Sequence, residues 1–166
     1  MTRREEILDV AQDLLEREGP DALTMRALAE RLGIRAPSLY KHVAGKDDII
    51  AGLQERALVA FTTHLGTAGP GLGGLARAYR EWARANPRLY ELATRRPLAR
   101  DRLTPGVESA AAAPVVRAAG GEEHRARALW ALAHGLVDLE LADRFPPGAD
   151  LDRTWRAAVA AFEGRG

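Results

Sequence analysis

The stretch from Thr24 to Lys46 constrains this chain most: Thr-Met-Arg-Ala-Leu-Ala-Glu-Arg-Leu-Gly-Ile-Arg-Ala-Pro-Ser-Leu-Tyr-Lys-His-Val-Ala-Gly-Lys. Met25, Leu28, Ala29 and Leu32 recur at helical spacing and give a first short helix one apolar face. Thr24 supplies an N-cap oxygen for an orphan backbone N–H. Gly33 stands where a left-handed residue ends the helix. Pro37 suits the first turn of a second helix, where no backbone donor is missed. Leu39 and Val43, four apart, hold this second helix to the first. Ser38, Tyr40, Lys41 and His42 are left off the buried stripe. A short helix offering a hydroxyl, a phenol, an ammonium and an imidazole suits a DNA groove.

Charge agrees with that reading. Within Thr24–Lys46 the basic residues Arg26, Arg31, Arg35, Lys41 and Lys46 face only Glu30, five against one, for a local net of +4. The whole chain is only +1, because the preceding stretch carries Glu5, Glu6, Asp9, Asp13, Glu16, Glu18 and Asp21 against Arg17. Affinity for DNA follows the local patch more than the total. On these residues alone, the competing reading is a solvated helical hairpin with ordinary surface charge.

The same stretch resembles the DNA-binding domain of the tetracycline repressor (TetR) family of bacterial transcription regulators. The matching residues are Ile7, Ala11, Leu14 and Gly19, then Leu23-Thr24-Met25-Arg26, Leu28-Ala29 and Leu32-Gly33-Ile34. Ser38-Leu39-Tyr40-Lys41-His42-Val43 and Lys46 complete the match. It runs without a gap over about the first third of the chain, and its Leu-Tyr-x-His core followed by Lys is highly specific. Further on, Trp130-x-x-x-His134-Gly135 followed by Leu139-Glu140 resembles a signature of one subgroup of TetR-like C-terminal domains, a weaker signal.

Read in order, the chain is all-α. A first helix over Glu5–Glu18 has Ile7, Val10 or Ala11, Leu14 and Leu15 on one face and acids in its first turn, which suits the helix dipole. Gly19-Pro20 stops it. It is expected to complete a three-helix head over residues 1–45, with residues 46–166 forming a helical body. Lys46-Asp47-Asp48 starts a long helix with the stripe Ile49, Ile50, Leu53, Ala57, Ala60, Phe61 and Leu65. Gly66–Gly74 is a glycine-rich loop without a phosphate-loop pattern, since no Lys-Ser or Lys-Thr follows. A helix from about Leu72 or Gly73 to Ala85 aligns Leu75, Tyr79 and Trp82; Asn86 then caps and Pro87 opens the next. Arg95, Arg96, Arg100 and Arg102 read as a solvated loop rather than an anion site.

Thr104-Pro105 starts another helix, which Pro114 either kinks or restarts. Glu122–Ala142 is apolar on two stripes. One is Leu129, Leu132, Leu136 and Leu139; the other is Trp130, Ala133, Val137 and Leu141. Such a helix needs partners on both sides. Asp150 caps a last helix with Leu151, Trp155, Val159 and Phe162 on one face.

Several classes are disfavoured. The chain has no cysteine, so it has neither a disulfide framework nor thiol chemistry. No apolar run is long enough to span a bilayer. The first residues lack the apolar core of a signal peptide, which points to the cytoplasm. There is no nucleophile elbow, carboxylate pair, metal spacing or dinucleotide fingerprint, so an enzyme is not expected. His42, His64, His124 and His134 are not paired at i, i+3 or i, i+4, so no metal is expected, and no cofactor either.

The resemblance implies a homodimer whose last two helices build a four-helix interface. It also implies two heads in successive major grooves of a palindromic operator on double-stranded DNA, and a body that encloses a small-molecule effector. The residues expected at base edges are Arg26, Pro37, Ser38 and Lys41, with Arg35 substituting where Ala36 lacks a hydrogen-bonding group. Those expected at phosphates are Thr24, Tyr40, His42 and Lys46. Candidate effector residues are Tyr79, Trp82, Tyr90, Trp130, His134 and Asp138. Aromatic walls with a few polar groups suit a flat, mostly apolar ligand; taken singly, each aromatic reads rather as core, the common fate of such side chains, and His134 as a satisfied interior or interface histidine. The expected function is a ligand-responsive regulator, a repressor released by an inducer. The alternative is a helical dimer that binds DNA constitutively without an effector.

Overall fold

The computed structural model describes residues 2–163, and among these every regular element is helical. The helices are α1 (Arg3–Glu18), α2 (Met25–Arg31), α3 (Ala36–Leu39), α4 (Lys46–Gly66), α5 (Gly71–Ala85), α6 (Pro87–Arg95), α7 (Val107–Ala118), α8 (Glu123–Leu141) and α9 (Leu151–Glu163), with a 3-10 turn at Arg100–Arg102 between α6 and α7. They group into two compact units. One holds the chain up to Val59 together with Asn86–Val107; the other holds Ala60–Ala85 and the chain from Glu108 onward. Helix α4 is continuous across that division, giving its start to the first unit and its end to the second. No described helix is long and apolar enough to cross a membrane.

The first unit is built on α1. That helix starts at Arg3, earlier than the periodicity suggests, because Thr2 and Glu5 form a capping box that satisfies two orphan donors at once. Its buried face is Ile7, Leu8, Ala11, Leu14 and Leu15. Gly52 of α4 lies where a Cβ would come within 2.7 Å of Leu8 Cδ2, so the absence of a side chain there admits the leucine. Helix α6 packs against α1. The Arg88 guanidinium donates to the carbonyls of Leu15 and Glu16 at the end of α1, and the Glu16 carboxylate accepts from Leu89 N–H at 2.9 Å. Asn86 occupies the N-cap position of α6 but makes no side-chain capping bond, so Pro87 alone among the expected start signals acts as foreseen.

One side chain in this unit escapes a purely apolar reading of α4. Gln54 is fully buried. Its Nε2 donates to Pro97 O and its Oε1 accepts from Ala99 N–H, both at 3.1 Å. The next residue, Glu55, accepts from Thr104 N–H at 3.3 Å. The segment after α6 is thereby fastened to α4. Ala60, expected on the buried stripe, is exposed instead.

In the second unit α5 packs against both α8 and α9. It buries Leu72, Leu75, Ala78, Tyr79, Trp82 and Ala83. Pro114 neither ends nor restarts α7, which runs through it. Helix α8, apolar on two sides in sequence, buries only Ala126, Leu129 and Val137; Trp130 remains 49% and Leu139 44% exposed. Helix α9 is capped by Asp150, whose Oδ1 accepts from Arg153 N–H at 2.9 Å, and it buries only Trp155.

Candidate nucleic-acid interface and candidate effector residues

The helical pair α2–α3 forms for the reasons visible in its residues. The Thr24 hydroxyl accepts from Ala27 N–H at 3.1 Å and caps α2. Gly33 turns the chain with φ +64°, a left-handed conformation that is costly for a residue with a Cβ. Ile34 N–H then reaches back to Ala29 O at 3.0 Å. Pro37 sits in the first turn of α3. Leu39 and Val43 are buried and pin the second helix as their spacing requires.

The second helix is shorter than expected. Only Ala36–Leu39 is α-helical; Tyr40–His42 continue it as a turn, with His42 and Val43 N–H both bonded to Leu39 O. The next donor, Ala44 N–H, is taken at 3.0 Å by the Asp48 carboxylate, which reaches back from the first turn of α4 and stops the helix. Burial alone would raise the Asp48 carboxyl. The Ala44 N–H and the Arg4 guanidinium, 3.1 Å away, outweigh that and hold it below the ordinary value.

Around this frame Thr24, Arg26, Arg35, Pro37, Tyr40, Lys41, His42 and Lys46 are exposed, and Ser38 is half-buried. Tyr40 is 57% exposed, unusual for a large aromatic side chain. The local positive charge is unevenly available. Arg26 Nε donates to Glu30 at 2.8 Å, and Arg31 pairs with Glu18. Arg35, Lys41 and Lys46 form no ion pair among the described residues. The Arg26–Glu30 pair follows from i, i+4 spacing; the Asp48–Ala44 bond has a weaker signal, an acid in the first turn of α4.

The six candidate effector residues do not all come together. Tyr79 and Trp82 are buried on α5, and both meet Phe61 edge-on, with centroids 5.1 and 5.2 Å apart. Trp130 and His134 stack on α8 at 5.9 Å, as i, i+4 neighbours, with Asp138 one turn further on. Tyr90 is buried in the other unit, on α6.

Two open clefts are lined by other residues. One of about 250 Å³ is bordered by His64, Thr67, Gly74, Arg77 and Glu81. His64 Nε2 is buried there, makes no hydrogen bond among the described residues and lies 4.0 Å from Glu81. The other, of about 290 Å³, is bordered by Asp47, Gln54, Arg96, Pro97, Asp101 and Arg102. Arg96 and Arg102 of the arginine run thus share this cleft with two carboxylates, and Arg95, Arg96, Arg100 and Arg102 are all exposed. No group of three or more described His, Asp or Glu side chains is arranged to hold a metal.

Comparison with known proteins agrees with this architecture at both ends of the chain. Residues 7–53 match the family model for bacterial regulatory proteins of the tetR family, and residues 72–162 match that for the tetracyclin repressor-like C-terminal domain. The uncharacterised HTH-type transcriptional regulator Rv0681 of Mycobacterium tuberculosis is 36% identical over 154 residues, covering 83% of this chain and 70% of its own. The class D tetracycline repressor of Escherichia coli is 46% identical over 50 residues, 30% of this chain and 23% of its own. Among solved structures, SCO4313 is 30% identical with a TM-score of 0.79, covering 97% of this chain and 95% of its own. The multidrug binding protein EbrR, complexed with imidazole, is 25% identical with a TM-score of 0.66, covering 98% and 95%. With both family models matched, and a helix-turn-helix presented as described, the chain belongs to the TetR family: it is a DNA-binding transcriptional regulator.

Proposed function

We propose that this regulator is a homodimeric repressor that releases a palindromic operator when a small, mostly apolar effector binds. The observation that carries the DNA reading is the exposed row Arg35, Pro37, Tyr40, Lys41, His42 and Lys46 on a hairpin anchored by buried Leu39 and Val43. Arg26, Pro37, Ser38 and Lys41 read base edges, with Arg35 beside them; Arg26 first leaves Glu30. Thr24, Tyr40, His42 and Lys46 hold phosphates. The Thr24 hydroxyl accepts the Ala27 bond through a lone pair and keeps its proton for a phosphate oxygen. Functionally the head is residues 1–45 and the body residues 46–166. The partly exposed apolar surface of α8, with Trp130 and Leu139, supports dimerisation through α8 and α9. The body, with Tyr79, Trp82, His134 and Asp138, takes the effector.

A second reading, a constitutive DNA-binding dimer, is favoured by one observation. Tyr79 and Trp82 are packed on Phe61, and neither cleft is lined by a candidate effector residue. A thermal-shift screen followed by DNA-release assays separates the two. A compound that raises Tm and releases DNA supports the effector; stabilisation without release points to constitutive binding.

The primary test is selection of bound DNA from a random library, with Lys46→Ala in parallel. A palindrome with half-sites about one helical turn apart supports the dimeric reader. Lys46→Ala should weaken binding to all sequences and reduce the salt slope by about 1. Salt-sensitive binding with no enriched motif, or an unchanged slope, overturns the assignment.

A further inference from the structure

A single guanidinium joins three helices of the second unit. Arg80, on the third turn of α5, places Nε and Nη2 on the two oxygens of Glu140 at 2.8 and 2.9 Å, and Nη1 on Asp152 at 2.5 Å. Glu140 stands in the last turn of α8 and Asp152 in the first turn of α9. The Trp155 ring lies beneath the guanidinium, 5.8 Å from its centroid, and its Nε1–H points at Glu140 Oε2 at 3.4 Å. Arg84, one turn on, approaches the other Glu140 oxygen at 3.4 Å. The Arg80 and Glu140 side chains are only 15% and 10% exposed, whereas Asp152 is 72% exposed.

This cluster sits where the two helices need orienting. The connection between α8 and α9, residues 142–150, contains Pro146, Pro147 and Gly148 and forms no regular structure. Helix α9 fully buries one side chain and α8 three, and a further polar tie between them, from Arg125 of α8 to Phe162 O of α9, lies at the opposite end of the pair. A two-pronged guanidinium–carboxylate bond is directional in a way that a point charge or an apolar contact is not.

We infer that Arg80 is the positioning residue of the dimer-forming helix pair: it locks the end of α8 to the start of α9 so that both present one surface to a second copy of this chain. The inference rests on the homodimer reading above. A withdrawn ion pair adds little net stability compared with an apolar replacement of similar size. Geometry, rather than folding, is therefore what its loss should disturb.

The test measures dimer dissociation by sedimentation equilibrium for the wild type, Arg80→Lys, and the double variant Arg80→Met/Glu140→Leu, which removes both withdrawn charges and leaves only the exposed Asp152 and Arg84 without these partners. Circular dichroism establishes that each is folded. The expected result is unchanged helicity with dimer dissociation constants raised tenfold or more, about 1.4 kcal/mol. Asp152→Asn, at the exposed prong, should raise the constant less than Arg80→Lys. A wild-type dimer with an equally tight dimer in the folded double variant overturns the role of Arg80 alone. If the double variant loses helicity, folded Arg80→Lys decides, and an unchanged constant there overturns it too. A wild-type chain that stays monomeric at all concentrations overturns the homodimer reading and this inference with it.

Discussion

Replacing Gln54 with leucine isolates what one buried amide contributes to the first unit. Leucine has nearly the same volume, so no sizeable cavity opens, and the helix propensity of α4 is preserved. What disappears is the pair of 3.1 Å bonds to Pro97 O and Ala99 N–H. Each such bond is worth about 1 kcal/mol net, and a buried group left unsatisfied costs about 1–3 kcal/mol. Pro97 is exposed, so its carbonyl regains water; Ala99 is half-buried, and its N–H regains less. The leucine side chain recovers about 1 kcal/mol through apolar burial. The balance is a loss of about 1–3 kcal/mol, or about 3–10 °C in Tm for a chain of this length.

Urea unfolding reads the total, and amide hydrogen exchange at Ala99 reads the local bond. The reasoning requires both to change, with Ala99 exchanging faster under native conditions. Unchanged stability with unchanged Ala99 protection refutes it. Lowered stability with Ala99 still protected would assign the cost to packing instead.

Two further outcomes follow from the turn regions. Gly33→Ala, at φ +64° with no atom within 4 Å of the added Cβ, should cost about 1–2 kcal/mol from backbone strain alone. Gly33→Asn should cost less, and equal costs in thermal melts would remove the strain argument. The Asp48 carboxyl is held below its ordinary value, so its contribution is present above the unfolded-state value of 3.8 and is lost as pH falls through the lower folded-state value. Asp48→Asn should therefore lower stability near neutral pH, by about 0.5–1 kcal/mol once solvent screening is allowed for. The gap to wild type should close below pH 3.8; a gap independent of pH in acid titrations would mean that charge is not the cause.

Most of the first unit's helix-turn-helix was legible in sequence because its determinants are local. A threonine cap, a glycine at positive φ, a proline in a first turn and a Leu–Val pair four apart act over one or two helical turns. The early start of α1 is also encoded locally, in Thr2 and Glu5, ahead of the point where its apolar stripe begins. The short α3 was not legible, since its end depends on whether Ala44 N–H bonds backward into the helix or forward to Asp48. The candidate effector residues were the least legible, because aromatic spacing cannot distinguish packing on Phe61 from lining a cavity.

By itself, then, the sequence determined where helices form, which stripe of each is apolar and which polar side chains stand off the stripe. These follow from residue type and period. Only the tertiary structure decided which carboxylate captures which guanidinium, as at Arg80, and why a glutamine lies fully buried in α4. It alone showed that α8 leaves one residue of each apolar stripe uncovered within the chain, Leu139 of the first and Trp130 of the second. Those outcomes depend on partners distant in sequence, and no local pattern carries the distance between them.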